Sequence, residues 1–171
     1  MSIKLIGSVL VILGCGGFGF SLAVSYRREV KTIRQLIGLL GYMESELRYR
    51  LTPLPQLCRQ TAAESRGVIS RVINRLAEQL EAQVSPNVSS CMCAVISEYQ
   101  GDIPIRTQKC LEELGMSLGR FDLAGQLTGL ESVRQSCRGK LEELENNKEN
   151  RLRSYQTLSL CAGAALAILL I

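Results

Sequence analysis

The sequence predicts an all-α protein: a membrane-anchored bundle of about six helices, with long first and last helices continuous with transmembrane spans. Three observations predict it. Apolar residues recur at three- and four-residue steps through most of the chain. Segments of alternating polarity built from Val, Ile and Thr are missing, so strands have no support. Two uncharged runs, Leu5–Tyr26 and Tyr155–Ile171, enclose a charge-rich middle.

The domain plan follows: an N-terminal span in residues 1–26, a helical bundle in 27–154 and a C-terminal span in 155–171. A helix rises about 1.5 Å per residue, so the first run can cross a hydrocarbon core of roughly 30 Å. Three readings of that run compete: a retained span, a signal peptide cut near Ser21-Leu22-Ala23, and a lipoprotein signal ending at Cys15. The flanking charge favours the first. Arg27, Arg28, Lys31 and Arg34 follow the run closely, and basic residues there resist translocation. Lys148, Arg151 and Arg153 precede the second run in the same way, placing both ends of the middle domain on the cytoplasmic side. At anionic headgroups each such charge contributes about 1 kcal/mol. Small residues at four-residue spacing, Gly17/Ser21 and Ser159/Gly163/Ala167, fit close packing of spans, or simply the usual composition of membrane helices.

The first helix is expected to continue past Arg27, with Ile33, Leu36, Leu40, Met43 and Leu47 as its apolar stripe. Thr52-Pro53 reads as a cap and first turn for a second helix carrying Leu54, Leu57 and Cys58. After Gly67, a third helix carries Val68, Ile69, Val72, Ile73, Leu76 and Leu80. Ser85-Pro86 repeats the cap-and-proline start, and a fourth helix runs through Cys91, Val95 and Ile96 to about Tyr99. A fifth carries Ile105, Cys110, Leu111, Leu114 and Leu118. Asp122 is placed to cap the last helix, whose stripe is Leu123, Leu127, Leu130, Val133, Cys137, Leu141 and Leu144.

The chemistry available is narrow. Histidine is absent, which removes Ser–His and Cys–His pairs and the commonest metal ligand. Tryptophan is absent and aromatics are few, which argues against base-stacking platforms. The seven cysteines do not read as a disulfide framework and fit better as small apolar side chains kept reduced. Cys91 and Cys93, two apart on a helix, point about 200° away from each other and make a poor metal pair. A phosphate-binding GxxxxGK loop ending at Gly139-Lys140 would need glycine at Arg134. Glu112-Glu113 and Glu142-Glu143 read as surface charge. No catalytic, cofactor or metal site is expected, and nucleic-acid binding is the weaker reading of the basic collar.

The segment from Gln35 to Leu47 followed by Thr52-Pro53-Leu54-Pro55 resembles the stage III sporulation protein AB family of endospore-forming bacteria. The pattern E-x-E-L-x-Y-x-x-T-P-L, Glu44 to Leu54, is its most specific part. Leu118-Gly119-Arg120-Phe121-Asp122, with Gln126 four residues on, also matches. The cysteine-rich fourth helix is outside the pattern. The resemblance implies a component of the channel-like complex in the mother-cell membrane facing the forespore. It also implies a soluble domain like that of the inner-membrane platforms of type II secretion and type IV pilus machines. Such platforms dock a motor ATPase, and the implied partner is the family's own secretion-type ATPase, stage III sporulation protein AA, with other membrane proteins of the channel complex. The turn bearing Arg120, Asp122 and Gln126 is then a candidate docking site; its other reading is a capped turn with a structural role. The competing function is a membrane-tethered adaptor or sensor that dimerises as a coiled coil.

Overall fold

The computed structural model describes the backbone of residues 2–118 and 122–170 and the side chains of residues 24–118 and 122–146. All six elements there are helices: α1 (Ser2–Arg50), α2 (Leu54–Glu64), α3 (Gly67–Glu81), α4 (Val88–Glu98), α5 (Ile105–Leu118) and α6 (Leu123–Leu170). The chain divides into two compact units, one of residues Met1–Arg28 with Glu143–Ile171, the other of Glu29–Glu142. Among the described residues no helix is long and apolar enough to cross a membrane. The side chains of the two predicted spans lie outside the described residues, apart from those of Val24, Ser25 and Tyr26. In the first unit the Tyr26 hydroxyl donates to the Leu144 carbonyl.

The core of the second unit is built from most of the predicted stripe residues. Ile33, Leu36, Leu40 and Met43 of α1 are fully buried, and Leu47 nearly so. Leu57 and Cys58 of α2 join them, with Ile69, Val72, Ile73 and Leu76 of α3. Met92 and Val95 of α4 and Cys110, Leu111 and Leu114 of α5 complete it with Leu130, Val133 and Cys137 of α6. Each large apolar side chain removed from water contributes about 1.5–3 kcal/mol before the entropy of ordering the chain is counted. Consecutive short helices pack on one another, α2 on α3, α3 on α4 and α4 on α5. Arg59–Glu81 and Arg75–Glu98 span the first two of these pairs. At α4–α5, Gly115 lies against Met92 and Ser89; at α5–α6, Gly129 lies against Ser117. Arg134 of α6 reaches Glu44 of α1 at 3.0 Å, with both side chains mostly shielded.

Several boundaries differ from expectation for local reasons. Thr52 does not cap α2: Pro53 occupies the cap position, and no side chain bonds the first free N–H groups. Asn87, and not Ser85, holds the cap position of α4, again without a side-chain bond. The carbonyl of Ser85 instead lies 3.9 Å from the Cys91 thiol. Gly67 opens α3 itself, at a φ of 75°. Left-handed backbone there favours glycine. Gln83 adopts the same region, φ 50°, at the end of α3. Its N–H donates to Leu80 and that of Val84 to Gln79, which is a Schellman ending with glutamine where glycine is usual. Ile105, expected in the core, is exposed in the first turn of α5, and Leu123 is exposed at the start of α6.

Candidate functional site

The basic residues predicted to flank the first span sit on α1. Arg27, Arg28, Lys31 and Arg34 are all exposed, and the spacing of Arg27, Lys31 and Arg34 puts those three along one side of the helix. Lys148, Arg151 and Arg153 lie in α6, with side chains outside the described residues.

The turn before α6 is built as a cap. The Gly125 N–H donates to Asp122 Oδ2 at 2.8 Å, and the Gln126 N–H to the Asp122 carbonyl at 3.0 Å. A carboxylate here also meets the positive end of the helix dipole. A methyl group at Gly125 would lie 2.5 Å from Asp122 Oδ1, so a side chain there would make the carboxylate shift. Asp122 is exposed and Gln126 half-buried, while Arg120 lies outside the described residues. The structural duty of Asp122 is therefore real, whatever else the turn does.

A second constellation escaped the sequence reading. Lys140 of α6 donates to Glu113 of α5 at 2.8 Å and to Cys110 Sγ at 3.5 Å. Glu113 is thus half of a cross-helix ion pair and not free surface charge. Cys110 and Cys137 are fully buried and share a hydrogen bond. That bond and the ammonium of Lys140 outweigh burial and hold the Cys110 thiol down at about 7. Cys137, which gives the hydrogen and is itself buried, is pushed up. Cys58, buried without such help, is pushed up to about 12. The only sequence signal was a cysteine on each of two neighbouring apolar stripes; the separation of 27 to 30 residues hid the rest. Cys91 is buried and Cys93 exposed, on opposite sides of α4.

A cleft of about 290 Å³ opens between α1 at Gln35, Leu39 and Tyr42 and the end of α2 at Thr61 and Glu64. It is small, and Arg66 lines it together with Tyr42 and Glu64.

The family model for stage III sporulation protein AB matches residues 4–171. Stage III sporulation protein AB of Bacillus subtilis (strain 168) is 22% identical over 170 residues, which cover 98% of this chain and 99% of that protein. A solved structure of a stage III sporulation protein AB superposes with a TM-score of 0.63 at 19% identity, over 72% of this chain and 98% of that one.

Proposed function

The chain belongs to the stage III sporulation protein AB family, and on that premise we propose that it is a membrane platform within a sporulation complex, docking a cytoplasmic ATPase. The family is named for a stage of sporulation and not for a reaction, and the chain is not an enzyme. In the proposed reading, residues 1–26 and 155–171 span the mother-cell membrane around the forespore, and residues 27–154 stand in the mother-cell cytoplasm as a helical bundle. The observation that carries it is the pair of uncharged runs bordered on their inner sides by Arg27, Arg28, Lys31 and Arg34 and by Lys148, Arg151 and Arg153. That pattern holds both inner ends on the cytoplasmic side. Arg134 stands where a nucleotide loop would need glycine, so the work of ATP hydrolysis comes from a partner. Stage III sporulation protein AA is the proposed partner, with other channel-complex membrane proteins beside it, and the turn from Arg120 through Asp122 to Gln126 is part of the proposed docking region.

The test is a binding titration of the full chain, held in lipid nanodiscs, against the purified ATPase. Saturable binding supports the platform. A stable dimer in mild detergent that does not bind the ATPase would transfer the case to the coiled-coil adaptor.

A further inference from the structure

Two of the buried thiols are not arranged as filler. Cys110 of α5 and Cys137 of α6 both belong to the second unit, and both are fully buried. The Cys137 thiol donates to Cys110 Sγ, so the two sulfurs are direct neighbours between the helices. The Lys140 ammonium, one turn beyond Cys137, lies 3.5 Å from Cys110 Sγ. Glu113, one turn beyond Cys110, holds that ammonium at 2.8 Å. Four polar groups from two helices meet where apolar side chains would pack as well.

The other described cysteines have different surroundings. The Cys91 thiol meets the Ser85 carbonyl, Cys93 is exposed, and burial alone acts on Cys58. Thiolate is the nucleophilic form of cysteine, and both a thiol donor and an ammonium favour it at Cys110. With that thiol held at about 7, a large share of it is ionised at neutral pH. Access is narrow but present. Lys140 keeps 23% of its side chain in solvent and Glu113 36%, so the Cys110 sulfur lies one flexible side chain below water. A reagent the size of hydrogen peroxide can pass where a maleimide cannot.

We infer that Cys110 and Cys137 are a peroxide-reactive thiol pair: Cys110 is the nucleophile that is oxidised, Cys137 resolves it, and the product is a reversible disulfide between α5 and α6. In the first step the Cys110 thiolate attacks one oxygen of hydrogen peroxide. The S–O bond forms, the O–O bond breaks, and the departing hydroxide takes a proton from solvent and leaves as water. In the second step the Cys137 sulfur attacks the sulfenic sulfur. The S–S bond forms, the S–O bond breaks, and the departing hydroxide takes the Cys137 proton and leaves as water. The two thiols give up two electrons in all, and the peroxide ends as two waters. Lys140 is a positioning residue that favours the thiolate, and Glu113 keeps the ammonium in place. The bridge would close the chain around the turn capped by Asp122 and fix α5 against α6. In a reducing compartment such a bond is transient and follows the oxidant level. The inference does not depend on the platform reading.

The test treats the purified full chain, reduced in mild detergent at neutral pH, with hydrogen peroxide. Remaining thiols are blocked with N-ethylmaleimide in denaturant, and each cysteine peptide is quantified by mass spectrometry. The expected product is a linked peptide pair, Cys110 with Cys137, formed at least about tenfold faster than oxidation of the equally buried Cys58 and reversed by dithiothreitol. Lys140→Gln should slow the bridge about tenfold, and Lys140→Arg, which keeps the charge, should restore it. The comparison of Cys110 with Cys58 is internal to the unaltered chain and stands whether or not a variant folds. Oxidation of Cys110 no faster than that of Cys58, a bridge between other cysteines in its place, or a rate indifferent to Lys140→Gln overturns the inference.

Discussion

Replacing Gly115 with alanine sets two effects against each other. Gly115 is buried in α5, and an added Cβ would lie 2.7 Å from Met92 Cβ, 3.0 Å from Met92 Cγ and 3.4 Å from Ser89 Cα. Met92 Cβ is fixed by its backbone and cannot swing aside, so α4 and α5 must separate. Overpacking of this kind costs about 1–3 kcal/mol, whereas alanine in a helix interior gains about 1 kcal/mol over glycine. At 2.7 Å from a carbon that cannot move, the cost falls in the upper part of that range, about 2–3 kcal/mol, so the clash wins by about 1–2 kcal/mol net. Gly139 is the control: it is exposed in α6, a Cβ there meets nothing within 4 Å, and Gly139→Ala keeps the helix gain alone. The chain lacks tryptophan, but Cys58, Cys91, Cys110 and Cys137 are buried thiols. In a full chain with Cys15 and Cys161 replaced by alanine, a maleimide fluorophore therefore reports thermal opening in detergent, over a baseline from exposed Cys93. At about 4 °C per kcal/mol, Gly115→Ala lowers the midpoint by about 4–8 °C and Gly139→Ala raises it by about 2–4 °C. A Gly115→Ala midpoint at or above wild type would refute the close α4–α5 contact.

Gln83→Gly relieves the left-handed strain at the end of α3 and should stabilise the bundle by about 0.5–1 kcal/mol in the same assay. Arg134→Met leaves the shielded Glu44 with the exposed Arg48 alone and should cost about 1 kcal/mol, whereas Arg71→Met, breaking an exposed pair with Asp102, should cost about 0.5 kcal/mol or less. Cys110 is held at about 7 against an ordinary 9.0, so its contribution to stability is present above the ordinary value and is lost as pH falls through 7. Cys137 is raised, so its contribution is lost as pH climbs past the ordinary thiol range; unfolding midpoints from pH 6 to 10 should therefore peak near 9.0. Lys140→Met should move the 240 nm thiolate transition of Cys110 upward; a transition that stays near 7 would remove Lys140 as a cause.

Periodicity made most of the core legible. The stripe from Ile33 to Leu47 is buried residue for residue, and so is the run from Val68 to Leu76, because helical spacing alone decides which side chains share a face. Helix starts were less legible. Thr52-Pro53 and Ser85-Pro86 have suitable residues for caps, yet the chain turns one or two residues later in each case, and cap chemistry cannot set that register unaided. Ile105 stands nine residues before Leu114, about 180° around the helix from the buried stripe of α5, so spacing itself leaves it exposed. Buried Thr61 and Thr107 were invisible to an apolar template; the Thr61 hydroxyl bonds back to the Leu57 carbonyl and so needs no solvent. At the candidate site, the capping role of Asp122 could be read locally. The pairing of Lys140 with Cys110 and Glu113, and of Arg134 with Glu44, joins distant segments that only the packed bundle brings together.

The placement of the bundle beside cytoplasmic partners is tested most directly at Cys93, because Cys110, Cys137, Cys58 and Cys91 are buried and Cys93 is exposed. Growing cells making the full chain are treated with a membrane-impermeant maleimide before or after lysis, and the label on the Cys93 peptide is measured. Labelling after lysis alone is the predicted result. Labelling of Cys93 in intact cells would put the bundle on the outer side of the membrane and contradict the platform.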